Sequence, residues 1–348
     1  MCDKSLEPCQ TPPLIMSMQV VVLAGGIGSR LRPWTNSIPK PLLPLLDMTL
    51  VEQVVSGMPA KLVDQVIIAA GYKVSQMREY FSKADLDYDV VIVPEDVPLG
   101  TGGALRNCMD HVSGTFACFN GDVISSLDVG AMLNQHKQMG VQGTLGLWEV
   151  EDPTRFGIVG LDDNKIITKF KEKPTPEEVF SNLINAGSYV LEEDVFGMMP
   201  EGKFSIEREI FPILAEQGQL SGFPFEGYFI DAGTPDSWLD AVEVAVANSR
   251  HNAGQVVDGS WFASQPSKSV QSGSMVSGSV IIQENCSLTR SSILSGATIG
   301  RSSKIENCLI GNNALIGEEC SLDGVIVAHD GNVPPGTSQC GGTWPPSD

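Results

Sequence analysis

Residues 23–42 read LAGGIGSRLRPWTNSIPKPL. A short apolar run at 19–23 leads into them, so the start of the segment reads as a buried strand ending in a glycine turn, the first strand-to-helix junction of an α/β sheet. Gly25, Gly26 and Gly28 put no side chain in the way of a polyphosphate, which backbone amides can then approach. Arg30, Arg32 and Lys40 set three cations beside that turn, and Pro33, Pro39 and Pro41 restrict the backbone between them. Two commoner phosphate loops fit poorly. Leu31 stands where a dinucleotide fingerprint needs its third glycine, and no GxxxxGK is followed by Ser or Thr. A hydride-transferring enzyme is left with little beyond Asp47, roughly twenty residues past the turn.

Outward from this segment, further strands are expected at 66–69, 90–93, 115–119 and 143–148, with amphipathic stretches between several of them. Such alternation predicts helices covering a mostly parallel, Rossmann-like sheet. FGIVGLDDNKIITKF, residues 156–170, reads as a hairpin turning at Asp163 and Asn164. From about 270 the composition shifts to Ser, Gly and Asn, and an aliphatic residue recurs every five or six positions. The run is Val276, Ile282, Leu288 and Leu294, then Ile299, Ile305, Ile310, Ile316 and Leu322. That period is too long for a helix and too regular for a loop, and short β-edges stacked into coils account for it. Two domains are expected, 18–250 and 265–335.

The chain carries 42 acidic and 22 basic side chains, a formal charge of −20. This field repels nucleic acid and anionic membranes, so neither is expected as a partner, and any phosphate site must gather its own cations. The opening MCDKSLEPCQTPP lacks a basic stretch followed by an apolar core, and no apolar run reaches eighteen residues, so a cytoplasmic location is expected. Eight cysteines, Cys2 to Cys340, are scattered without a CxxC pair and read as ordinary thiols in a reducing compartment.

Asp122 follows the apolar residues 116–119, and Asp231 follows 227–230. Carboxylates at strand ends can converge across a sheet, and hard oxygen ligands with few Cys or His nearby suit Mg²⁺. Either aspartate alone also suits a turn or a helix cap.

The opening segment does not stand alone: PLGTGGAL at 98–105, GD at 121–122, FG at 156–157, EKP at 172–174, NAG at 185–187 and DAGTP at 231–235 follow it in order. Together these motifs resemble the sugar-phosphate nucleotidyltransferases, and 270–330 resembles the left-handed β-helix of hexapeptide repeats that ends many members. The resemblance implies transfer of a nucleoside monophosphate from a nucleoside triphosphate to a sugar 1-phosphate, with Mg²⁺ held by Asp122 and Asp231. It places Arg30 and Lys40 on the phosphates, and Leu23, Gly25, Gly26 and Gly28 along the nucleotide. Glu95, Gly100 and Thr101 fall near the base, although GTGG stands where many members have GTAG. Gly157, Glu172, Lys173 and Asn185 fall on the sugar phosphate.

Among the branches it resembles, mannose-1-phosphate guanylyltransferases are favoured over glucose-1-phosphate thymidylyl- or uridylyltransferases, and a non-catalytic regulatory subunit is the remaining alternative. Acyl transfer by the coils is disfavoured, because the four histidines, 111, 136, 251 and 329, all lie outside 276–322. The coils are instead expected to hold a homo-oligomer together, leaving the chemistry to residues before about 250.

Overall fold

A computed structural model describes residues 17–346; the opening segment, with Cys2, lies outside the described residues. The N-terminal domain is organised by a nine-stranded sheet. Its strands are β1 (Met18–Leu23), β2 (Val63–Ala70), β3 (Asp89–Pro94), β4 (Phe116–Asn120), β5 (Gly143–Glu149), β6 (Gly157–Leu161), β7 (Ile167–Glu172), β8 (Leu183–Leu191) and β9 (Leu220–Pro224). The path runs β7-β6-β8-β4-β1-β2-β3, with β5 on β8 and β9 on β5.

The half that carries the glycine turn is parallel throughout, β4-β1-β2-β3. Strand β8 then enters antiparallel between β4 and β5. Val20, Val21 and Val22 are all fully buried, because alternate residues of β1 feed separate cores on the two faces. Helices Leu50–Val55, Val74–Phe81 and Val129–Met139 supply one core with Val51, Met77 and Met132; Gly100–Asn107 and Phe211–Glu216 supply the other with Leu105 and Leu214. The expected hairpin is β6–β7, where the Asp162 carboxylate accepts from the amides of Asn164 and Ile166 and closes the turn.

The C-terminal domain is a three-sided parallel β-helix. One sheet is seven-stranded and two are four-stranded. Met275, Ser292, Leu309, Ile326 and Thr343 stack in successive register, so a coil is 17 residues long. The inward residues are Val276, Ile282, Leu288, Ile293 and Ile299, in steps of six, six, five and then six again as the next coil begins. This corrects the expected run at one position: Ile293, not Leu294, faces the coil interior, and Leu294 is buried against the N-terminal domain. The corners explain the composition. Ser279, Asn285, Ser302, Asn307, Asn313 and Asp330 all have φ between 51° and 60°, a conformation that short polar residues tolerate.

The domains share a core. Trp34, Leu46, Trp238 and Val242 from the first pack with Met275, Leu294, Leu309 and Ile326 from the second. Arg290 of the β-helix pairs with Asp240 at 2.6 Å and Glu243 at 3.3 Å, both on helix Pro235–Ala247. Among the described residues no helix is long and apolar enough to cross a membrane. Five of the six described cysteines are buried and all six are free; burial pushes the Cys108 thiol up to about 12.

Candidate active site

The glycine turn leaves the C-terminal end of β1. The Leu23 carbonyl accepts from the Gly121 amide at 2.9 Å, which sets the Gly121–Asp122 turn beside it. A side chain at Gly25 would overlap the Glu95 carboxylate, so the missing Cβ is what brings Glu95 against the turn. Glu95 follows β3; its Oε2 accepts from the Leu99 amide at 3.1 Å, while its Oε1 is buried without a partner. Gly26 is open to its surroundings, and Gly28 turns the chain at φ 68° with the Lys40 side-chain stem packed against it.

Gly100 and Gly102 pack on Phe204, whose carbonyl accepts from the Gly102 amide at 3.1 Å. The Phe204 ring fills the space that a methyl at 102 would need, which accounts for GTGG in place of GTAG. Thr101 turns its hydroxyl inward and donates to Glu207 at 2.5 Å.

Lys40 and Asp122 meet directly, Nζ to Oδ2 at 2.5 Å, with Lys40 buried and Asp122 half-buried. Asp231 ends a short strand, Phe229–Asp231, that pairs antiparallel with Val123–Ser125, and the Ala232 amide donates to the Asp122 carbonyl at 2.9 Å. The two aspartates therefore sit on adjacent chain segments. Burial, then the charge of Asp122, raises the Asp231 carboxyl above its ordinary range, against the pull of Lys40, Arg30 and Arg155. Asp231 Oδ1 is buried without a hydrogen-bond partner.

The remaining candidates gather on β6, β7 and β8. Register places Gly157 opposite Glu172, and a Cβ at Gly157 would lie 2.7 Å from the Phe170 ring and 2.8 Å from Glu172 Oε2. The room left by that glycine is thus taken by this chain's own carboxylate and ring. Burial, then Glu207, raises the Glu172 carboxyl, and Lys173 opposes the shift from 3.5 Å. Ile184 bridges Ile158, bringing Asn185 alongside; its Nδ2 donates to the Tyr189 hydroxyl at 3.0 Å and its Oδ1 accepts from the Gly187 amide at 3.0 Å.

Arg30, Arg155 and Asp231 line one cleft of about 300 Å³, walled by Trp148, Phe156 and Phe229. Arg30 also faces a second cleft with Arg32, toward the β-helix. Arg155 and Glu207 were absent from the residues singled out by sequence. Arg155 directly precedes the FG pair, and that adjacency was the available signal; Glu207 has no motif and is revealed only by its partners Thr101, Ser205 and Tyr189.

A sheet whose parallel half ends in a glycine turn, with cations and paired carboxylates beside it, is suited to handling phosphates, and the chain belongs to the nucleotidyl transferase family, whose model matches residues 19–247. A GlmU-like C-terminal hexapeptide model matches 260–341, the left-handed β-helix architecture. The chain is 33% identical to the mannose-1-phosphate guanylyltransferase of Mycobacterium tuberculosis, over 89% of this chain and 79% of that protein. It is 30% identical to the mannose-1-phosphate guanylyltransferase catalytic subunit beta of Danio rerio, over 89% and 90%. The crystal structure of HddC from Yersinia pseudotuberculosis with GMP-PN superposes with a TM-score of 0.54 at 28% identity, covering 65% of this chain and 98% of that one. The reaction of the family is nucleotidyl transfer from a nucleoside triphosphate to a sugar 1-phosphate, and the chain has the catalytic domain that performs it.

Proposed function

We propose that the chain joins mannose 1-phosphate to GTP, releasing pyrophosphate and forming GDP-mannose. The observation that carries the choice of base is Glu95, whose Oε1 is a buried acceptor without a partner beside the glycine turn. An ionised carboxylate only accepts hydrogen bonds, and guanine presents adjacent N1–H and N2 amino donors on one edge. Uracil and thymine offer a single ring N–H between two carbonyls, one of which would meet the same charge, and cytosine offers an amino group beside a ring acceptor instead of two adjacent donors. The names of the Mycobacterium and Danio relatives support the same substrates.

A sugar 1-phosphate brings its own anionic oxygen, so attack on the α-phosphorus needs no nucleophilic side chain. What must be overcome is the repulsion between two anions and the charge gathering on departing pyrophosphate. Lys40 and Arg30 hold phosphate oxygens, and Arg155 adds a third cation on the cleft shared with Asp231. Glu172 and Asn185 orient the sugar, with Lys173 at its phosphate.

Asp122 and Asp231 fit a divalent cation. Asp231 carries an unpartnered buried oxygen and is disfavoured by its neighbour's charge, a conflict that a shared cation relieves. No cluster of three or more metal-ligating side chains is present among the described residues. Two carboxylates form the partial set that suits Mg²⁺, which takes its other ligands from water and phosphate. When bound, the ion would neutralise charge on the reacting phosphates.

Assembly is assigned to the coils, supported by Ile281 and Leu315, which are exposed on one β-helix face two coils apart in the same sheet.

The test is pyrophosphate release measured for four nucleoside triphosphates against mannose, glucose, galactose and N-acetylglucosamine 1-phosphates. GTP with mannose 1-phosphate should give the highest kcat/KM. A higher value for a pyrimidine nucleotide with glucose 1-phosphate would sink the substrate reading.

A further inference from the structure

Trp34 lies in the signature segment between Arg30 and Lys40, yet its contacts lead away from both. The side chain is fully buried, and its Nε1 donates to the Val327 carbonyl of the β-helix at 3.0 Å, across 293 residues of sequence. Its ring stacks on His329, centroids 5.9 Å apart at 26°, and meets Trp238 edge-on at 6.0 Å. His329 is itself fixed by the Asn312 amide, which donates to Nδ1 at 2.9 Å. Val327 also accepts from the Gly311 amide at 3.0 Å, so the carbonyl that receives the indole is held within the coil ladder.

On the other side the connections run into the phosphate loop. Thr35, the next residue, donates its hydroxyl to the Gly28 carbonyl at 2.9 Å. A Cβ at Gly28 would lie 3.0 Å from Lys40 Cβ and 3.1 Å from the Thr35 methyl, so these three residues pack as one unit. A residue that only filled the core would need no polar atom. The indole N–H instead sets direction as well as volume, because a buried donor must keep its acceptor.

We propose that Trp34 is a positioning residue through which the β-helix holds Arg30 and Lys40 in their catalytic geometry, making the coils part of the transfer apparatus. This rests on the reading of Arg30 and Lys40 as the phosphate cations.

The full-length protein is compared as parent, Trp34→Phe, which keeps a ring but loses the N–H, His329→Ala, which removes the stack from the coil side, the double variant, and Lys40→Ala. Each is measured for kcat, for KM of both substrates, and for thermal unfolding. Trp34→Phe should lower kcat by about ten- to a hundredfold while the protein stays folded, the scale of a small misplacement of catalytic groups. His329→Ala should shift kcat in the same direction, and the double variant should lose less than the product of the two. Values of kcat and KM within twofold of the parent in folded Trp34→Phe would overturn the proposal. Should Trp34→Phe fail to fold, His329→Ala decides: an unchanged kcat overturns the proposal and a reduced one supports it. Full activity in Lys40→Ala would remove the phosphate reading and the proposal with it. A crippled Lys40→Ala beside an unaffected Trp34→Phe would remove the positioning role alone.

Discussion

Lys40 and Asp122 are drawn together from residues 82 apart in sequence, and the pair shows how single side chains carry this site. Lys40→Ala removes a cation and leaves the Asp122 and Asp231 charges less compensated, so nucleotide-sugar synthesis should fall by about two orders of magnitude with circular dichroism close to the parent. Asp231→Asn keeps the size of the side chain and removes an anionic ligand. It should raise the Mg²⁺ concentration for half-maximal rate, and an unchanged value would take Asp231 out of the metal site. Gly102→Ala tests packing instead. The new methyl meets the Phe204 ring, so stability measured by chemical denaturation should drop by about 1–3 kcal/mol, and less in a Phe204→Leu background. The glycines, cations and paired aspartates were legible because short motifs carry them. The reason for glycine at 102 was not, since Phe204 lies on a distant segment that only the fold brings near.

Helix Val129–Met139 illustrates the element scale, where a buried titratable group reports on packing. His136 is fully buried between Thr144 at 2.8 Å and Glu192 at 3.0 Å. Burial lowers its pKa from 6.5 although Glu192 pulls the other way. With the folded pKa below the unfolded one, the unfolded chain binds the extra proton first. The contribution to stability is therefore complete above about pH 6.5 and is lost as pH falls from there through the folded pKa. Stability should decline on acidification from pH 7 to 5, with a shallower slope in His136→Gln, as followed by denaturant unfolding at each pH. In the coils, the recurrence of aliphatic residues and the presence of a five-residue step were readable, whereas the place of that step was not. Ile293 and Leu294 are both aliphatic, and only stacking shows which one points inward.

For the whole molecule, the sequence suggested a chemical domain followed by an assembly domain, and the common core around Trp34, Trp238 and Leu309 joins them more closely than that. Neighbouring residues in sequence do not report such a core; it forms between surfaces that each read as ordinary amphipathic stretches. Association is tested on the outer face. Ile281→Glu with Leu315→Glu should reduce the particle mass seen by light scattering and leave synthesis intact, because both side chains are exposed and far in sequence from the phosphate loop. An unaltered mass would move the interface elsewhere. The 17-residue coil also gives the C-terminal domain a reading frame of its own. Loss of one residue between 276 and 333 would rotate every later aliphatic side chain out of the interior, as a frameshift garbles all that follows it. Loss of a whole coil would preserve every face yet carry Val327 one layer away from Trp34, so even an in-frame change in the number of coils would be felt at the phosphates.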